Sequence, residues 1–158
     1  MSAEELVQDL KRDILAFFID IGCKDPVDIR IGLSDARQQN AYVTLRGLEW
    51  HFVQEGETQH LYWTNPRFPE IPIGGHNIRY YFNPADDREI GRRASAAPGS
   101  NEDTTLLRIV SFIRSHFEEI CQVLSDERIV EVAAVLRDVK VRTSEERTRL
   151  AKSRTPSP

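Results

Sequence analysis

Through the middle of the chain apolar and polar residues alternate, the period of two that a strand with one buried face requires. Residues 42–46 alternate, and past Gly47 residues 48–52 do so again. Gly47 therefore marks a bend or bulge between two strands. Residues 54–59 are polar around Gly56 and predict a turn, after which 60–64 alternate once more. Three prolines and two glycines between Asn65 and Gly75 end that pattern in a loop. Residues 76–82 resume it as a further strand and stop at Asn83 and Pro84.

Helical spacing flanks this region. Ser2 and Glu5 form a capping box ahead of Leu6, Leu10, Ile14, Phe17, Phe18 and Ile21, which predicts a helix over 3–21 with Gly22 as terminator. Residues 27–31 alternate as a first strand, and 34–40 read as a connection. The stretch 84–101 has no period and predicts a mobile loop or insertion. Acidic residues at 101–104 open the longest helix, whose stripe includes Ile109, Ile113, Phe117, Ile120 and Leu124. Ser125 caps a second helix from Asp126 to about Val139, and Thr143 to Glu146 form another capping box with little beyond it to bury. The prediction is one α+β domain over 1–141, an antiparallel sheet of four or five strands with the N-terminal helix and the C-terminal helices packed on one face. Residues 142–158 follow as a basic tail, partly helical and then disordered.

Alternation sorts the strand residues onto two faces. Val43, Leu45, Leu48, Trp50, Phe52, Leu61, Trp63, Ile78, Tyr80 and Phe82 share one, a core; Tyr42, Thr44, Arg46, Glu49, His51, His60, Tyr62, Thr64, Arg79 and Tyr81 share the other. Nine of the thirteen aromatic residues and three of the four histidines lie between Ala41 and Asn83, so this second face carries the functional question.

Charge adds one asymmetry. From Arg137 onward seven basic residues face three acidic ones, a net +4, which leaves −8 on the preceding 136 residues of a chain whose total is −4. Attraction to phosphate must then come from the tail or a local patch. No run approaches the roughly 20 apolar residues of a membrane span, and the start lacks a signal-peptide pattern, so a cytoplasmic protein with no membrane partner is expected. Cys23 and Cys121 read as reduced core thiols.

Few residues suggest catalysis. His51, His60 and Glu49 could approach one another as metal ligands, yet no tight ligand spacing supports this. Asp86, Asp87 and Glu89 read as helix-leading acidic residues or plain solvation rather than as a divalent site, and His76 lacks a nucleophile or orienting acid. The expectation is no enzyme, no cofactor and no metal. Tyrosines on alternate strand positions beside arginines combine stacking surfaces with cations for phosphate, the mixture that single-strand binders use. The candidate nucleic-acid contacts are Tyr42, Arg46, Tyr62, Arg79 and Tyr81, with Arg142, Arg147 and Arg149 from the tail. The rival expectation is an adaptor that docks a protein partner or a second copy, as a homodimer, through the sheet face and C-terminal helices.

The 27–31 strand, the 41–45 strand followed by an aromatic one, Glu55 and Gly56 at a turn, the 61–66 run ending in proline, and the later helix resemble the SpoVG (stage V sporulation protein G) family over residues 27–117. That resemblance implies a dimeric α/β module that binds DNA or RNA without catalysis; none of the family's contacts is carried onto residues here. The order helix, meander, proline loop and helices also resembles the ubiquitin-conjugating and RWD type of fold, with Phe68, Pro69 and Pro72 in the loop. No cysteine follows that loop at a strand end, so the implication is a non-catalytic interaction domain.

Overall fold

Connections too short for a crossover make the sheet a meander. A computed structural model describes residues 2–33, 38–55, 58–96 and 106–154. In it β1 (Ile29–Leu33), β2 (Gln38–Leu45), β3 (Leu48–Glu55), β4 (Thr58–Thr64) and β5 (Ile73–Gly74) lie in sequence order, each antiparallel to the next. Leu45 pairs with Leu48 across a two-residue turn in which Arg46 (φ 56°) and Gly47 (φ 76°) are both left-handed. That is the geometry whose twist matches the flanking strands, and it leaves Arg46 outside the pleat. The turn at residues 56–57, the connection at 34–37, the predicted helix start at 101–104 and the last four residues lie outside the described residues.

Helix α1 (Ala3–Asp20) starts where Ser2 Oγ accepts the Glu5 N–H at 3.2 Å. It ends where Gly22 (φ 81°) lets Cys23 N–H reach the Phe18 carbonyl at 2.9 Å. Its stripe puts Phe18 edge-on to Trp50, ring centres 5.1 Å apart, and Phe17 against Phe52 at 5.3 Å. Helix α4 (Leu106–Leu124) bends at His116, whose ring bonds its own helix at the Phe112 carbonyl. It brings Ile113, Phe117, Ile120 and Leu124 to the same side of the sheet. The row Val43, Trp50, Trp63 and Ile73, one residue from each of four paired strands, forms the floor of this core. The fold is thus α+β, one antiparallel sheet with the N-terminal helix and the C-terminal helices on one face.

Three expectations change. Residues 76–82 are not a strand: Gly75 N–H donates to the Leu61 carbonyl at 2.7 Å, the chain then leaves the sheet, and Arg79–Phe82 form a helical turn, α2. Alternation arose because Ile78 joins the main core while Tyr80 joins a second, smaller one with Ala85, Ile90 and Val139. Of the stretch 84–101 expected as a loop or insertion, residues 97–101 lie outside the described residues and most of the rest is helical. Asp86 caps α3 (Asp87–Ser95) by accepting the Glu89 N–H at 2.9 Å, and Ile90 and Ala94, one turn apart, are buried. No break precedes residue 142, for α5 runs unbroken from Arg128 to Arg154. Thr143 caps nothing, since its hydroxyl is buried and donates to the Val139 carbonyl at 2.7 Å. No helix among the described residues is long and apolar enough to cross a membrane.

Candidate nucleic-acid interface

Strand pairing builds a row of side chains across the sheet. Arg30 pairs with Tyr42, Tyr42 with His51, His51 with Tyr62, and Tyr62 with Gly74. Residues paired directly point to the same side, so this row occupies the face opposite Trp50, which the helices leave bare. Tyr42 and His51 stack at 4.5 Å with planes 11° apart, and the Arg30 guanidinium lies 5.8 Å from the Tyr42 ring centre. Tyr62 is less occupied, its ring 6.2 Å from His51 and 6.4 Å from His60, tilted by 42° and 35°. Thr44 is exposed beside them, with Glu49 half-buried and 3.4 Å from Arg30.

His51 is anchored by a neighbour on the same face. Its Nε2 lies 2.9 Å from Asn40 Oδ1, and burial lowers its pKa against the opposing pull of Glu49. A histidine with a depressed folded pKa contributes stability that is whole above its unfolded value of 6.5 and is lost as pH falls through the folded value. Thermal melts should therefore decline from about pH 7.5 to about pH 5, and His51→Gln should remove part of the decline. Parallel pH profiles for the two proteins would refute this.

Of the eight residues expected at the interface, only Tyr42 and Tyr62 stand in the row. Tyr81 lies on α2, half-buried and edge-on to Phe82 at 5.4 Å, because its segment left the sheet. Arg46, turned out of the pleat, bonds Asp25 at 2.5 Å and Glu118 at 2.9 Å and lies 5.5 Å from the Phe117 ring centre. It ties the hairpin to α4 on the helical side, and these two carboxylates raise its pKa, Asp25 most. Arg79 packs on the Tyr80 ring at 4.9 Å, donates to its hydroxyl at 2.8 Å, and stands 3.6 Å from Glu89. That carboxyl is held down at about 2, first by its hydrogen bonds from Arg92, then by those from Tyr80. Arg142 joins α5 to α3 through the Ala85 carbonyl and Asp87, each at 3.1 Å. Arg149 Nε bonds Glu146 at 2.9 Å on the solvated side of α5, and Arg147 reaches the Arg93 carbonyl at 3.4 Å beside a cleft.

Two members of the row, Arg30 and His51, were absent from the expected contacts. Both occupy the polar phase of their strands, which was the available signal. His51 and His60 are not direct partners, since His60 pairs with Val53, and among the described residues no group of three His, Cys, Asp or Glu could hold a metal ion. Cys23 and Cys121 are both free, and burial pushes the Cys121 thiol up to about 12, far from a reactive thiolate. No family model matches the chain, and no curated protein or solved structure matches it either.

Proposed function

We propose that this protein is a non-enzymatic regulatory protein that binds single-stranded DNA or RNA across the bare sheet face. The observation that carries the reading is the row Arg30, Tyr42, His51 and Tyr62, aligned by strand register on the side without helices. Such a row offers stacking at more than one point and a cation at one end, a sequence-tolerant arrangement because every base has a flat face. Tyr62 is the principal platform, since Tyr42 already gives one ring face to His51.

Fluorescence anisotropy with labelled oligo(dT) and oligo(U) of about 16 nucleotides tests it. Tyr62→Ala should weaken binding about tenfold, the effect of losing one base stack. Wild-type protein that fails to bind either oligonucleotide, or binds as tightly after Tyr62→Ala, overturns the reading. A protein partner is the second reading, favoured by Leu15 and Ile19, one turn apart on α1 and 43 % and 72 % exposed. Light scattering separates the two: a monomer that binds oligonucleotide supports the first, and a stable dimer without oligonucleotide binding supports the second.

A further inference from the structure

A cleft of about 700 Å³ opens between α5, α3 and the loop after Pro72. Arg93, Arg137, Lys140 and Arg147 line it together with His76, and Glu70 is its one carboxylate. On α5 these cations are not scattered. Positions 137, 140 and 147, with Ser144 between, recur at the spacing of one helix face, a stripe about 15 Å long at the helical rise.

Their electrostatic state sets them apart from three other arginines of α5. Arg128 is paired with Asp126, Arg142 with Asp87 and Arg149 with Glu146. Arg137 and Lys140 have no ion-pair partner among the described residues, and Arg147 meets only a backbone carbonyl. Arg93 packs on the Tyr80 ring at 5.0 Å and donates to its hydroxyl at 3.2 Å, while its Nε is buried with no hydrogen-bond partner. Four cations thus line one concavity that holds a single carboxylate, Glu70, and none of the four is ion-paired among the described residues, in a chain whose net charge is −4. Like charges held together at that cost mark a site for an anion.

The cleft also adjoins the row of rings. Gly74 is the partner of Tyr62, and a side chain on Gly74 would lie 3.0 Å from His76 Cε1. The imidazole of His76 therefore stands next in line after Tyr62 and forms the near wall of the cleft. We infer that the cleft receives the phosphodiester backbone of the same single strand, which passes from the tyrosines across the His76 imidazole into the α5 stripe. This inference rests on the nucleic-acid reading above and extends it to Arg93, Arg137, Lys140 and Arg147, which carry the phosphates.

The test is oligo(dT) affinity measured across a salt series for the full chain. Each cation that meets a phosphate of a single strand contributes about 0.7 to the slope of log K against log salt. The triple variant Arg137→Ala, Lys140→Ala, Arg147→Ala should flatten that slope by about 2 and weaken binding at least tenfold at low salt. Arg137→Lys with Arg147→Lys, which keeps the charge, should bind like wild type. Lys140→Ala alone, an exposed side chain, carries the same test with a slope change of about 0.7 if the triple variant does not fold. An unchanged slope alongside a loss in Tyr62→Ala overturns the cleft and leaves the sheet face standing. Loss in the triple variant alone supports the cleft and removes the sheet face. No binding by wild type overturns both, and a lysine variant as weak as the alanine one overturns the cleft by showing that charge is not what was lost.

Discussion

Trp50→Ala is expected to lower the stability of this protein by about 4 kcal/mol, the upper range for truncating a large core side chain. Trp50 has no exposed surface and touches three of the elements that define the core: its ring is edge-on to Phe18 of α1 at 5.1 Å and to Trp63 of β4 at 5.5 Å, and 6.1 Å from Phe117 of α4. Removing it leaves a cavity at the junction of both helices with the sheet, where collapse on one side opens a gap on the other. The phenylalanine replacements make a sharper comparison. Trp50 Nε1 donates to the Leu45 carbonyl at 3.3 Å, whereas Trp63 Nε1 is buried with no partner among the described residues. Trp50→Phe loses ring volume and a hydrogen bond; Trp63→Phe loses ring volume and an unsatisfied donor that costs about 1–3 kcal/mol to bury. Urea denaturation should therefore place Trp63→Phe above Trp50→Phe in midpoint, and the opposite order would show that packing around Trp63 outweighs its stranded N–H.

Asn65→Asp should cost about 3 kcal/mol near neutral pH and less in acid. Asn65 is 1 % exposed and makes two bonds at once: its Nδ2 donates to the Leu124 carbonyl at 3.0 Å and its Oδ1 accepts the Arg67 N–H at 2.9 Å. Leu124 closes α4, so its carbonyl is one of the orphans a helix end must satisfy from outside. A carboxylate offers that carbonyl no donor and faces it with negative charge in a buried setting. Protonation restores an O–H that can donate, and the neutral form is the one this site favours. The penalty should therefore shrink as pH falls toward about 5, measured as the difference in urea midpoint from wild type at each pH. A penalty that grows in acid would contradict the assignment.

Much of this architecture was legible because each central strand buries one face only, which stamps a period of two on residues 42–64. Helix α1 was legible for the analogous reason, with Ser2 as its cap. What failed to show was any feature shared between segments far apart in the chain. Residues 76–82 alternate because two separate cores take Ile78 and Tyr80, a cause that local pattern does not distinguish from a strand. Arg46 changed sides because a two-residue turn removes its members from the pleat, whereas a bulge at Gly47 would have kept it on the polar face. Helix α3 has just two buried residues amid glycine, serine and arginine, too few to register as a stripe. The cleft depends on Arg93 meeting Arg137, Lys140 and Arg147 across the α3 and α5 packing, and only its α5 half has a readable spacing.

The two rims of the sheet are unequal, with β1 spanning five residues and β5 two. Fibre growth by backbone pairing needs an adhesive rim on each side of every copy, so that each added chain presents a fresh template. At Ile73–Gly74 there is room for no more than a couple of ladder bonds before the chain turns away at Gly75. Two copies meeting through β1 would close on themselves with two-fold symmetry and stop there. The clipped β5 thus leaves an incoming strand far less backbone to pair with than β1 does, which makes β1 the more adhesive of the two terminal strands.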